Sequence, residues 1–167
     1  MKKLLILIPL LGFLAFKSSA QTNEGKFNIG LEGGLPLGTS KQLFNSIIGA
    51  SIKYEYPVAQ NVFVTASAGY NGWLIKHEYS DFDGGKSVYN FIPLKAGIKG
   101  YLQEGFFLEG QVGASIYAGS NGKGTSFIYS PGIGYTFTSG FEAGVRYEAW
   151  VKDGTASQIS LRLGYRF

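Results

Sequence analysis

The sequence predicts an all-β protein: an eight-stranded, antiparallel, up-and-down transmembrane β-barrel. Three observations carry that expectation. Residues Ile159 to Phe167 alternate between an apolar or aromatic side chain and a small or charged one, and a period of two sends successive side chains to opposite faces of a strand. Seven further segments upstream repeat the pattern. The connections also sort by length, longer and polar after odd-numbered segments and tight after even-numbered ones. Barrels that span an outer membrane have this arrangement, with short turns and both termini on the periplasmic side and longer loops outside.

The first segment, Lys26 to Leu35, sets Phe27, Ile29, Leu31 and Leu35 against Asn28, Gly30, Glu32 and Gly34. The second, Ser46 to Tyr56, sets Ile48, Ala50, Ile52, Tyr54 and Tyr56 against Gly49, Ser51, Lys53 and Glu55. The third, Val62 to Leu74, opposes Val62, Val64, Ala66, Ala68 and Tyr70 to Thr65, Ser67, Gly69 and Asn71. In the fourth, Val88 to Leu102, the apolar Ile92, Leu94, Ala96 and Ile98 oppose Lys95, Gly97 and Lys99. The fifth, Phe106 to Tyr117, has Leu108, Val112, Ala114 and Ile116 opposite Glu109, Gln111, Gly113 and Ser115. The sixth, Phe127 to Phe137, places Phe127, Tyr129, Ile133, Tyr135 and Phe137 opposite Ser130, Gly132, Gly134 and Thr136. The seventh, Phe141 to Trp150, places Phe141, Ala143, Val145, Tyr147 and Ala149 opposite Glu142, Gly144, Arg146 and Glu148. The eighth is Ile159 to Phe167, with Arg162 and Arg166 on its polar face.

Four connections read as long and polar: Pro36 to Asn45, Ile75 to Ser87, Ala118 to Ser126 and Val151 to Ser157. Three read as tight: Pro57 to Asn61, Gln103 to Gly105 and Thr138 to Gly140. Asp83-Gly84-Gly85 and Asp153-Gly154 supply residues suited to positive φ in turns. Pro93 and Pro131 fall inside strands, where each removes a ladder donor and marks a bulge or a missing bond.

The amino-terminal residues have another purpose. Lys2 and Lys3 precede an apolar run from Leu4 to Phe16, and Ser18-Ser19-Ala20 offers small residues for cleavage. Residues 1–20 therefore read as a cleaved signal peptide, the run being shorter than the ~20 residues a spanning helix needs, and 21–167 as the barrel domain. With no cysteine there is no thiol for a lipoprotein anchor. Lys2, Lys3 and Lys17 leave with the signal, so twelve basic residues face eleven acidic ones in the remainder. Nothing in that balance supports nucleic-acid binding.

A soluble ligand-carrying barrel would show the same alternation turned inside out. Its outer face would be ~25–35% charged, whereas the polar faces here are mostly Gly, Ser, Thr and Asn. Aromatics of the apolar parity also gather at the turn ends (Tyr54, Tyr56, Phe106, Phe137, Phe141, Tyr165, Phe167), as in a girdle at a membrane interface.

In its loop alternation, its Ile92-Pro93-Leu94-Lys95-Ala96-Gly97 stretch and its terminal Tyr165 and Phe167, the chain resembles the small eight-stranded outer-membrane β-barrel family. That family includes OmpX and the transmembrane domain of OmpA, and the likeness is strongest to the Gly- and aromatic-rich versions in Bacteroidota. The resemblance implies a Gram-negative outer membrane, contact with its lipids and lipopolysaccharide, and recognition by the barrel-assembly machinery. Tyr165 and Phe167 match the aromatic positions of the family's assembly signal; Arg162 stands where that signal usually has Gly.

Inward parity collects Glu32, Lys53, Glu55, Lys95, Lys99, Glu109, Glu142, Arg146, Glu148, Arg162 and Arg166. Eight strands leave an interior just wide enough for side chains, so five acids and six bases are expected to pair and plug it, because an unpaired buried charge is costly. The expected function is a structural or surface-interaction protein and not an enzyme, with no cofactor or metal, whose outer loops meet a surface partner. Two alternatives stay open: a narrow porin-like channel along the charged column, and a lipid A-modifying enzyme. For the latter, His77 lies near Glu78, Ser80, Asp81 and Asp83, but no strand-anchored group orients it, and the cluster reads as a solvated loop. Glu78, Asp81 and Asp83 lack the spacing of a defined Ca²⁺ site. Asn121-Gly122-Lys123-Gly124-Thr125 lacks the spacing and helix of a phosphate loop. Trp73 and Trp150 read as interface anchors near the outer strand ends.

Overall fold

The computed structural model describes residues 24–76, 87–119 and 124–167. In chain order the elements are β1 (Lys26–Leu37), the four-residue helix α1 (Ser40–Leu43), β2 (Phe44–Ala59), β3 (Val62–Ile75), β4 (Val88–Gln103), β5 (Phe106–Tyr117), β6 (Thr125–Thr136), β7 (Phe141–Val151) and β8 (Thr155–Arg166). Every strand pairs antiparallel with its sequence neighbours. The ring shuts where β1 meets β8 through pairs such as Leu31↔Leu163 and Glu32↔Arg162. Closure leaves no unpaired strand edge, a requirement for backbone that crosses hydrocarbon.

Burial shows which face is which. Leu31 is 70% exposed, while Lys99 and Glu55 are wholly buried. A water-soluble barrel would reverse that order, because apolar surface leaves water and charge stays in it. The exposed belt is apolar, with Ile98, Leu163 and Val112 among its members, and it is edged at the turn end by exposed Tyr56, Phe137, Phe141, Tyr165 and Phe167.

All three tight turns use a residue in the left-handed region: Asn61 at φ 62°, Gly105 at φ 79° and Gly140 at φ 92°. Glycine and asparagine adopt it most cheaply. The loop end departs from the sequence expectation in two places. Pro36 to Asn45 is not a long loop: β1 runs on to Leu37, α1 makes one turn and β2 begins at Phe44. Val151 to Ser157 shrinks to a three-residue turn around Asp153-Gly154, because Val151 already pairs with Thr155 and Ala149 with Ser157. Polar side chains had concealed strand in both stretches. The other two outer connections, with His77, Glu78, Ser80, Asp81, Asp83 and residues 121–123, lie largely outside the described residues.

Both strand prolines interrupt one ladder. The β3–β4 register passes from Ala68↔Leu94 to Asn71↔Phe91, skipping Pro93. The β6–β7 register passes from Tyr129↔Ala149 to Gly132↔Arg146, skipping Pro131. Neither gap shifts the register, so each is a missing bond and not a bulge. Elsewhere the inner wall depends on glycine: a Cβ on Gly97 would stand 2.1 Å from the Gly110 carbonyl oxygen, and one on Gly113 1.9 Å from that of Leu94.

Candidate functional site

The barrel's chemistry lies in its lumen. Alternation along each strand turns the charged side chains inward, and the closed wall brings them from six strands into one column. Glu142 on β7 is the hub: its carboxylate meets Lys53 at 3.1 Å, Lys99 at 2.5 Å and Arg162 at 3.4 Å, and accepts a hydrogen bond from Thr136 at 3.2 Å. Lys53 also reaches Glu55 at 3.0 Å and Glu109 at 3.2 Å. Lys99 reaches Glu55 at 2.9 Å, and Arg166 approaches the same carboxylate at 3.7 Å.

From Arg162 the network passes to Glu32 at 3.6 Å and from Glu32 to Arg146, which donates to it. Arg146 lies 3.8 Å from Glu148 Oε2, which also meets Lys95 at 2.5 Å, while Oε1 accepts from Trp150 Nε1 at 2.8 Å and Gln158 at 3.0 Å. The structure thus joins Glu32, Lys53, Glu55, Lys95, Lys99, Glu109, Glu142, Arg146, Glu148, Arg162 and Arg166 in one continuous chain of ion pairs. Charge in low dielectric is tolerable only when partnered in this way. A cavity within the network, bounded by Phe107, Glu109, Glu142, Arg146 and Arg162, measures about 20 Å³, room for about one water molecule.

Neutral side chains complete the arrangement. Asn28 accepts from Arg162 at 2.7 Å, and Ser51 accepts from the same guanidinium at 3.2 Å while donating to Glu32 at 2.7 Å. The Lys99 ammonium lies 4.0 Å from the ring centroid of the buried Phe107. Towards the turn end Phe107 packs on Tyr101 at 5.8 Å, and Tyr101 on Phe63 at 5.6 Å.

At the loop end the lumen changes character. Ile47, Trp73, Ile128 and Trp150 form a buried apolar cluster, with Phe44, Tyr89, Phe91 and Ala156 packed against it. Trp73 and Trp150 stand 5.0 Å apart, and Phe91 lies 4.9 Å from Trp150. Neither tryptophan is an interface anchor: both share the parity of Asn71 and Glu148 and therefore point inward. Sequence reasoning missed this plug, although inward parity already selected Ile47, Trp73, Phe91, Ile128 and Trp150. It gave too much weight to their hydrophobicity.

The family model of the outer membrane protein beta-barrel domain matches residues 6–167. The chain belongs to that family. It is accordingly an integral protein of the outer membrane. Among solved structures, Ail, the attachment invasion locus protein of Yersinia pestis, is similar in a phospholipid bilayer nanodisc at 20% identity and a TM-score of 0.60, over 86% of this chain and 100% of that one. The N-terminal barrel of Pseudomonas aeruginosa OprF is similar at 18% identity and 0.59, over 86% and 100%. The outer membrane enzyme PagL is similar at 14% identity and 0.63, over 83% and 98%. No curated protein sequence matches the chain significantly.

Proposed function

We propose that the protein is a non-enzymatic outer-membrane barrel with a structural or surface-interaction role, its lumen shut by ion pairs and its activity confined to the barrel's ends. The observation that carries this reading is the continuous network below an apolar plug: among the described residues every inward charge in it has a partner, so the column offers neither an open aqueous path nor an unpaired base. Ail, which shares the fold, is named for attachment and invasion. Surface contact through the outer loops is consistent with that name, as is lipopolysaccharide contact through exposed Lys41 and Lys152 near the rim. Residues 1–20 act as the cleaved signal peptide. The exposed Tyr165, near the end of the last strand, and Phe167, just beyond it, present the aromatic positions read by the assembly machinery.

The test is unbiased crosslinking in intact cells, with photoreactive residues in place of Lys41, Lys76 and Lys152. A discrete crosslinked partner, with lipid A mass unchanged on deletion of the gene, is the expected result. Lipid A that changes mass with the protein's presence would replace this reading with the enzymatic one, which the fold shared with PagL makes the alternative to exclude.

A further inference from the structure

At the end opposite the loops, the barrel opens into a bowl of about 710 Å³. Outer-membrane barrels turn this end, with its short turns and termini, towards the periplasm. Phe63 and Tyr101 form part of its wall, Asn61, Gln103, Thr138 and Ser139 part of its rim, and Arg166 lines it.

Two cations, Lys26 and Arg166, line the bowl with one acidic side chain, Glu104, and with Phe167, which carries the terminal carboxylate. The lumen network contains six bases and five acids, so one positive charge has no equivalent of its own. Arg166 is the most open member of the network: its side chain is 25% exposed, and among the described residues its one carboxylate partner is Glu55 Oε2 at 3.7 Å. Lys53 and Lys99 share the other oxygen of Glu55, at 3.0 Å and 2.9 Å, and at 3.7 Å Arg166 makes no hydrogen bond to Oε2. Arg162, by contrast, has two carboxylates, Asn28 and Ser51 around it. Of the five donors on the Arg166 guanidinium, one goes to the Tyr101 hydroxyl at 2.9 Å. The ring of Tyr101 lies 5.7 Å from the guanidinium carbon and helps to hold it in place. Lys26, a second cation lining the bowl, is exposed and ion-pairs with no described residue. The one acidic side chain in the lining, Glu104, is also exposed and ion-pairs with no described residue.

We infer that the bowl binds a terminal carboxylate, the free carboxyl end of a short uncharged peptide segment, with Arg166 as its anchor. A guanidinium with a free edge grips a carboxylate through two parallel hydrogen bonds. The surrounding amide and hydroxyl side chains match a peptide's donors and acceptors, and the aromatic wall matches its apolar parts. A closed lumen makes the bowl a blind pocket, so the ligand is held there and not passed on.

The inference is tested by calorimetric titration of the refolded protein in detergent micelles with N-acetyl-alanyl-alanine, its carboxyl-terminal amide, and acetate. The free acid is expected to bind and the amide to bind about tenfold or more weaker, since hydrogen bonds to a charged group are at stake. Arg166→Gln should lose the difference between acid and amide, Arg166→Lys should retain part of it, and Asp153→Asn at the opposite end should leave it intact. Heat-modifiable migration reports whether each variant is folded. Because acid and amide are compared on the unaltered protein, the test survives a variant that does not fold. Equal binding of acid and amide, or no binding of either, would overturn the inference. Acetate binding as tightly as the dipeptide would overturn the peptide as ligand and assign the site to small organic acids.

Discussion

Glu148 is the carboxylate whose loss the lumen tolerates least. It is wholly buried and is, among the described residues, the only carboxylate in ion-pair range of the buried Lys95. Glu148→Gln keeps the shape and an oxygen for Trp150 and Gln158, but strands the Lys95 ammonium in low dielectric. Removing one partner of a buried pair costs about 3–5 kcal/mol. Glu109→Gln is the matched comparison: among the described residues Glu109 pairs only with Lys53, and Lys53 keeps Glu55 at 3.0 Å and Glu142 at 3.1 Å. Its loss is expected to cost about 1 kcal/mol, the worth of a hydrogen bond whose donor keeps other partners. Lys95→Met in the Glu148→Gln background removes the stranded charge and should recover most of the loss, since replacing both partners of a buried pair is often neutral. Urea unfolding in lipid vesicles, followed by tryptophan fluorescence, gives all four stabilities and a coupling energy. Equal costs for Glu148→Gln and Glu109→Gln, or no recovery in the double variant, would refute the account of Lys95 as dependent on Glu148.

Further expectations concern wall, faces and plug. Leu163→Arg places a cation on the 55%-exposed lipid face, costing up to ~2–4 kcal/mol at the midplane and less near the turn end, and should reduce heat-modifiable folded protein more than Arg162→Leu. The opposite ranking would reverse the face assignment. Gly113→Ala drives a Cβ into the Leu94 carbonyl, whereas Gly110→Ala meets nothing within 4 Å. Vesicle refolding yields should therefore fall for the first, by the ~1–3 kcal/mol typical of overpacking, and hold for the second. Trp73→Ala with Trp150→Ala empties the loop-end plug and should lower stability by several kcal/mol, given ~3–5 kcal/mol per large aromatic truncation. A dye-release assay should then show little added leak, because the ion-pair layer beneath remains.

Period two made nearly all of the barrel legible, because one face meets hydrocarbon and the other a shared interior, so register slips are penalised at every strand. It failed at the loop end for two reasons. Pro36, Ser157 and their neighbours are polar or ring-closed yet belong to strands, since at the barrel rim pairing and not side-chain polarity decides. Trp73 and Trp150 suggest interface anchors by their place near the outer strand ends, but their position two residues beyond Asn71 and Glu148 puts them inside. The inward charges were legible as a set, but their partners were not: Glu142 reaches Lys53 across 89 positions of sequence, and only barrel closure sets that distance. The bowl around Arg166 was equally hidden, because it depends on which carboxylates the other cations take.

The central claim is that ion pairs and an apolar plug shut the lumen. Single-channel recording of the purified, refolded protein in planar lipid bilayers tests it most directly. The account predicts at most rare, small conductance events from the unmodified protein, with more frequent leakage when Arg146→Ala strips Glu32 of its closest cation. Steady nanosiemens-scale openings from the unmodified protein would contradict it and make the barrel a porin.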